Sequence, residues 1–342
     1  MATPSTAATS RPEAASPYLF VVGCPRSGTT LLQRMLDAHP QLAVANDTHF
    51  IPRAVAKVTA GSIPRACTAA DKQALVEWTR SYHRFPRLGL EAGLVDRADA
   101  ASETFPGFVG ELYRALAEQR GKRYAGEKTP DYIRHLSLLS ALFPGSKTVH
   151  IVRDGRDVAL SLLDWAHDRK GPGRLDLWRQ EPVAACALWW RWQVGGQQQA
   201  GLLPKQSYLE IKYESLVADP SRTLRSVSDL LELPFAPEML QFNRGKRRRA
   251  TGLSAKKAWL SPTPGLRDWR TQLDSRSLAL FEALAGDRLV ENGYPLALDH
   301  IPASIAAVAD DCRAWWSRRR AGRKANRGSG SPRSAGIVEA IR

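Results

Sequence analysis

Apolar positions come early and in blocks. Tyr18-Leu-Phe-Val-Val22 is wholly apolar and rich in β-branched and aromatic residues, which predicts a strand covered on both faces, as in a parallel sheet. It ends at Gly23, and beyond a short loop Leu31, Leu32, Met35 and Leu36 recur at helical spacing until His39-Pro40 stops them. The same alternation returns twice. Lys147-Thr-Val-His-Ile-Val152 predicts a strand, Arg153-Asp-Gly-Arg156 a turn, and Val158 to Trp165 an apolar-faced helix. Tyr208-Leu-Glu-Ile-Lys-Tyr213 predicts a third strand, before a helix marked by Leu224, Val227, Leu230 and Leu231. Strands alternating with helices argue for an α/β fold around a central, mainly parallel sheet, with ligands at the carboxyl ends of its strands.

Between about residues 52 and 120 the period is helical instead, as at Leu75, Trp78, Thr79 and Tyr82 and again at Phe108, Leu112 and Leu116. This stretch is expected to be a helical insertion lining the site of a second substrate. Trp189, Trp190 and Trp192 fall in another helical stretch, where packing in the core or a lid explains them better than stacking on a ligand. No internal repeat is evident. Residues 1–16, rich in Ala, Ser, Thr and Pro, are expected to be a disordered leader, residues 17–300 the folded domain, and residues 301–342 a basic helix and disordered tail.

Charge changes the picture more than composition does. The 342 residues carry 49 Lys and Arg against 34 Asp and Glu, a formal charge of +15, which favours partners bearing phosphate, sulfate or carboxylate. Much of the excess sits in Lys246–Arg249 and in the tail, from Arg318, Arg319 and Arg320 to Arg323, Lys324 and Arg327, leaving a moderately basic core. The amphipathic stretch Ile301 to Arg320 is a candidate for weak contact with an anionic surface. No apolar run approaches the roughly 20 residues of a membrane-spanning helix. Residues 1–16 have no secretory pattern, so a soluble, cytoplasmic protein is expected. Cys24, Cys67, Cys186 and Cys312 are scattered and form no metal-ligand spacing, so a reducing compartment and no metal are expected.

The loop after the first strand carries the chemistry. A glycine-containing loop between a buried strand and a helix presents backbone N–H groups at the positive end of the helix dipole, which suits an anion. Gly23 and Gly28 have Walker A spacing, yet Thr29 stands where an ATP-binding loop has its lysine. A cation has moved inside the loop instead. Arg26 can grip an anionic group bidentately while Ser27, Thr29 and Thr30 add hydroxyl donors around Gly28. A nucleotide-dependent kinase shares the strand, loop and helix but needs that lysine and Mg²⁺. A basic nucleic-acid-binding protein is the other alternative; no recognition-helix or zinc-finger pattern supports it.

Pro25-Arg-Ser-Gly-Thr-Thr30 resembles the 5′-phosphosulfate loop of the sulfotransferase family. The likeness is closest to the bacterial and tyrosylprotein-sulfotransferase-like branches, and it runs on through Leu31 to Pro40 and to Ile51-Pro-Arg53. The resemblance implies a P-loop-type three-layer fold and 3′-phosphoadenosine 5′-phosphosulfate (PAPS) as donor. It also implies metal-free, in-line transfer of a sulfuryl group to a tyrosyl, phenolic, sugar or lipid hydroxyl. Arg153 and Ser161, in Arg153-Asp-Gly-Arg-Asp-Val-Ala-Leu-Ser161, are similar to the family's 3′-phosphate anchors. Tyr213 resembles its adenine-contacting tyrosine, although a core tyrosine would look the same. Ser261, before Leu266-Arg-Asp-Trp269, matches a serine that touches the phosphosulfate, with Lys256 and Lys257 as further phosphate contacts or an ordinary basic loop.

For the chemistry itself, Lys128 in Gly126-Glu-Lys-Thr-Pro130 resembles a lysine that points at the transferring group. Asp47 stands where tyrosylprotein-type members have a catalytic glutamate, one methylene longer. His49 follows two residues on, and in an extended chain it would share a face with Asp47, as its neighbour or as a substitute base. Arg53 resembles an arginine that faces an acidic acceptor region.

Overall fold

The computed structural model describes residues 17–58, 69–165, 171–244 and 265–328. The first apolar run becomes β1 (Leu19–Gly23), and the loop after it leads into α1 (Thr29–Asp37) and β2 (Leu42–Asn46). Four helices follow: α2 (Phe50–Val58), α3 (Ala69–Ser81), α4 (Ala92–Ala100) and α5 (Phe105–Gln119). The chain then returns to the sheet through β3 (Tyr124–Lys128), α6 (Leu136–Leu142), β4 (Lys147–Val152) and α7 (Gly155–Trp165). Next come α8 (Pro182–Val194), β5 (Tyr208–Lys212), α9 (Tyr213–Ala218) and α10 (Pro220–Leu230). The last described helices are α11 (Trp269–Gln272), α12 (Ser275–Glu291) and α13 (Ala303–Gly328). None of the described helices is long and apolar enough to cross a membrane.

The strands pair in the order β2-β3-β1-β4-β5, all parallel. Alternation along each strand divides the core. Phe20, Val22, Ala43 and Ala45 pack on Phe108, Leu112 and Tyr113 of α5, while Leu19, Val21, Leu42 and Val44 pack on α1 and α10. Beyond β4, α7 meets α8 and α12, where Trp190 is fully buried with its ring centroid 6.0 Å from that of Phe281. Trp190 is therefore a core residue, as the packing argument expects.

Two strands lie where the sequence signals none. Leu42-Ala-Val-Ala-Asn46 is short and small-residue rich, and Tyr124-Ala-Gly-Glu-Lys128 contains a glycine and two charges. Pairing makes them strands. Gly126 lies so close to β1 that a Cβ there would sit 2.3 Å from the Leu19 carbonyl oxygen, so a residue disfavoured in isolated strands is required in this one. The third strand also stops one residue short of the expectation, because Tyr213 opens α9.

The turn Arg153-Asp-Gly-Arg156 divides its two arginines between different tasks. Arg156 is fully buried, donates to Asp154 at 2.8 and 3.0 Å and to Glu282 at 2.6 Å, and lies 3.7 Å from the centroid of the Trp269 ring. It ties α7 to α12, while Arg153 is left for the sheet edge. Arg156→Met strands two buried carboxylates and is expected to lower unfolding free energy by about 3–5 kcal/mol, read from urea denaturation.

Candidate functional site

The strand ends converge on one edge of the sheet. Arg26 adopts φ 80° and Gly28 φ 88°, so the loop turns tightly enough to bring its amides to the start of α1. That backbone disfavours a side chain at residue 26, and holding arginine there costs about 1–2 kcal/mol. Gly28 has no such cost, and a Cβ on it would fall 2.4 Å from a ring carbon of Tyr213. Ser27 is fully buried and its hydroxyl has no partner among the described residues, while Thr29 is buried and Thr30 half-buried at the first turn of α1.

Arg26 and Arg153 come from adjacent strands, since Gly23 of β1 lies opposite Ile151 of β4. Arg26 donates through Nε to the Ser161 hydroxyl at 2.9 Å. Arg153 lies 4.2 Å from the centre of the Tyr213 ring and 3.3 Å from Asp157, yet its buried Nε has no partner among the described residues. Burial, together with the positive charges of Arg267 and Arg153, lowers the Arg26 pKa to about 10. Cations crowded together partly out of water, with unused donors beside them, favour an anion. The structure thus gathers Arg26, Ser27, Gly28, Thr29, Thr30, Arg153, Ser161 and Tyr213 around one edge. The Tyr213 ring packs against the core beneath β4 and β5 and also touches Arg153 and the Gly28 backbone. Ser261, Lys256 and Lys257 lie outside the described residues.

A second cluster stands at the ends of β2 and β3, where Asn46 pairs with Lys128. The Asp47 amide donates to the Lys128 carbonyl at 2.7 Å, and Lys128 lies opposite Val21 of β1. Asp47 and His49 both have φ 62°, so the stretch is not extended and strand alternation does not bring them together. Two left-handed residues flanking the buried Thr48 do, placing His49 Nε2 2.8 Å from Asp47 Oδ1. Aspartate and histidine tolerate that backbone better than most residues. His49 Nδ1 lies 3.8 Å from Asp131, and Arg87 donates to the other Asp47 oxygen at 3.0 Å. Arg53 is exposed on α2 with its guanidinium over the Tyr82 ring.

Electrostatics separates the two ionisable partners. Burial alone would raise the Asp47 pKa, but the hydrogen bond from His49 and the charges of Lys128, His49 and Arg84 outweigh it and hold the carboxyl well below its usual range. For Lys128, burial lowers the pKa, opposed by the charges of Asp47 and Glu127 and reinforced by Arg87 and Arg34. A carboxyl with a depressed pKa contributes stability above its unfolded value near ~3.9 and loses it as pH falls through the folded value. The stability gap between the wild type and Asp47→Asn is therefore expected to be full at pH 7 and to shrink below about pH 4, read from denaturant midpoints across pH.

Sequence reasoning passed over several residues here. Arg267 adds charge near Arg26 and pairs with Asp164, and its place beside Trp269 in the Leu266-Arg-Asp-Trp269 motif was the available signal. Asp157 accepts from the Trp269 amide at 3.0 Å and pairs with Arg153. Glu127, Asp131, Arg84 and Arg87 gave no individual signal.

The chain is thus an α/β protein whose parallel sheet gathers, at the carboxyl ends of its strands, a glycine-containing loop, two mutually repelling arginines and a tyrosine. Residues 17–237 match the model of the sulfotransferase family, and the chain belongs to that family. It is 29% identical over 225 residues to protein-tyrosine sulfotransferase 1 of Danio rerio, covering 66% of this chain and 55% of the relative. It is 30% identical over 226 residues to protein-tyrosine sulfotransferase 2 of Gallus gallus, covering 66% and 53% respectively. The chain thus spans about half the length of these curated relatives. Among solved structures, the sulfotransferase domain of the Synechococcus PCC 7002 olefin synthase shares the fold, with a TM-score of 0.50 and 23% identity over 75% of this chain and 88% of that one.

Proposed function

We propose that this protein transfers a sulfuryl group from PAPS to an acceptor hydroxyl, with a tyrosyl or phenolic oxygen as the first acceptor to test. The observation that carries this reading is the pair of arginines at neighbouring strand ends, with the Ser27 hydroxyl and Arg153 Nε buried beside them and unpartnered among the described residues. A nucleotide with an anionic group at each end fits that arrangement. The loop amides, Arg26, Ser27, Thr29 and Thr30 hold the 5′-phosphosulfate, and Arg153 and Ser161 hold the 3′-phosphate. Tyr213 lies against the adenine, and Ser261 belongs to the same proposed set. When bound, the donor supplies the sulfuryl group and a bisphosphate leaving group.

The chain supplies the rest. Asp47, ionised but made a weak base by its neighbours, takes the acceptor proton through positioning, with His49 fixing its carboxylate or standing in for it. Lys128 and Arg26 oppose the negative charge that builds as the bond to the leaving phosphate breaks, without a metal. The names of the relatives in Danio rerio and Gallus gallus support a tyrosyl acceptor. A reducing, cytoplasmic setting is part of the proposal, supported by the free thiols of Cys24, Cys186 and Cys312. Arg318 and Arg320, exposed on α13, support weak contact with an anionic surface.

Thermal shift separates this reading from a kinase. The bisphosphate product of the donor is expected to raise Tm by several degrees in the absence of metal, and ATP with Mg²⁺ to leave it unchanged. The reverse result sinks the proposal. Radiolabelled PAPS offered with tyrosine-containing peptides, phenols, sugars and lipid alcohols, followed by product mass, then identifies the acceptor.

A further inference from the structure

Glu127 is an acid with no exposure at the sheet edge, one residue from Lys128, and nothing in the chemistry above uses it. Alternation along β3 sends it to the opposite face from Lys128, toward the turn at Thr48. Its Oε1 accepts from the Thr48 amide at 3.2 Å, the Thr48 hydroxyl at 2.5 Å, the His49 amide at 3.4 Å and the Thr129 hydroxyl. Its Oε2 accepts from the Tyr113 hydroxyl. Three of these donors belong to the turn that carries Asp47 and His49, both of which are in the left-handed region.

A side-chain carboxylate that gathers two consecutive amides does for this turn what a helix or sheet ladder does elsewhere. It satisfies buried donors that would otherwise pull the backbone toward another conformation. Tyr113 of α5 and Thr129 at the end of β3 fix the carboxylate in turn, so the turn is referenced to the sheet and to the insertion together. We propose that Glu127 is a positioning residue for sulfuryl transfer: it holds the Thr48 turn so that Asp47 and His49 face the acceptor at fixed separation. The inference rests on the sulfotransferase reading, with Asp47 or His49 as base.

The test uses the full chain. E127Q keeps the shape but sets an NH₂ against the Tyr113 hydroxyl and leaves the Thr48 and His49 amides a neutral, weaker acceptor. Hydrogen exchange at the Thr48 and His49 amides is expected to quicken by at least about tenfold, with the amides of β1 and α1 unchanged. Affinity for the bisphosphate nucleotide should stay within about twofold. With radiolabelled PAPS and a tyrosine-containing peptide, kcat should fall about 10- to 100-fold while KM for PAPS holds. The D47N/E127Q double variant should lose no more than D47N alone, as groups acting as one unit do. T48V, which removes one donor at similar size, should shift exchange and kcat in the same direction by less, and replaces E127Q if that variant does not fold.

Wild-type exchange and wild-type kcat in the variant overturn the proposal. A matching loss of nucleotide affinity overturns it too, because Glu127 would then serve the donor site. A fully active D47N with a slow E127Q strikes the assignment of Asp47 and keeps Glu127 as the support of His49. If the wild type does not modify the peptide, that acceptor fails, and exchange with nucleotide affinity decides the role of Glu127.

Discussion

Arg26→Ala is expected to abolish measurable sulfuryl transfer while leaving the free protein as stable as the wild type, or more so. The side chain is half-buried and crowded by Arg267 and Arg153. Removing it relieves repulsion in the free protein and takes away a charge-assisted grip on the phosphosulfate. Loss of one donor aimed at developing charge costs about 10²–10³ in kcat, and loss of a charged hydrogen bond about 1.5–3 kcal/mol in nucleotide binding. Arg153→Ala should weaken the bisphosphate nucleotide to a similar degree from the other end and likewise stop transfer. Calorimetric titration and single-turnover kinetics read both effects. Unchanged nucleotide affinity in both variants would remove the donor assignment.

Asp47→Asn is the complementary case. Its carboxylate is held by His49 and Arg87 beside the charge of Lys128, and it is not among the residues proposed to hold the nucleotide, so nucleotide affinity should stay close to wild type. A general base is worth about 10²–10⁴ in rate, and kcat should fall by that order with little change in KM for the donor. A fully active variant would move the proton-accepting role to His49, which then needs its own substitution to be tested.

Much of the donor edge was legible in the order of residues. An apolar strand, a loop with two glycines and an arginine, and a helix are contiguous, and so are β4, Arg153 and Ser161; local periodicity and motif spacing suffice for such units. The acceptor side was harder. Asp47 and His49 were picked out, but for a geometry they do not have, because a run of five polar and aromatic residues says nothing about a left-handed pair around Thr48. β2 and β3 were missed because short strands of small or charged residues carry no apolar alternation of their own.

The chain's sequence by itself settled that strands alternate with helices and that a cation replaces the lysine of an ATP loop. Both are local properties, written in neighbouring residues. Only the tertiary structure decided that Arg153 stays at the strand ends beside Tyr213 while Arg156 is buried in the core, and that Gly126 is needed for close strand approach. It alone showed that a buried Glu127 holds the turn opposite it. The reason is physical: burial, repulsion and hydrogen-bond partnership are set by groups tens of residues apart in the chain, and they come into being only once the sheet has brought those groups to one edge.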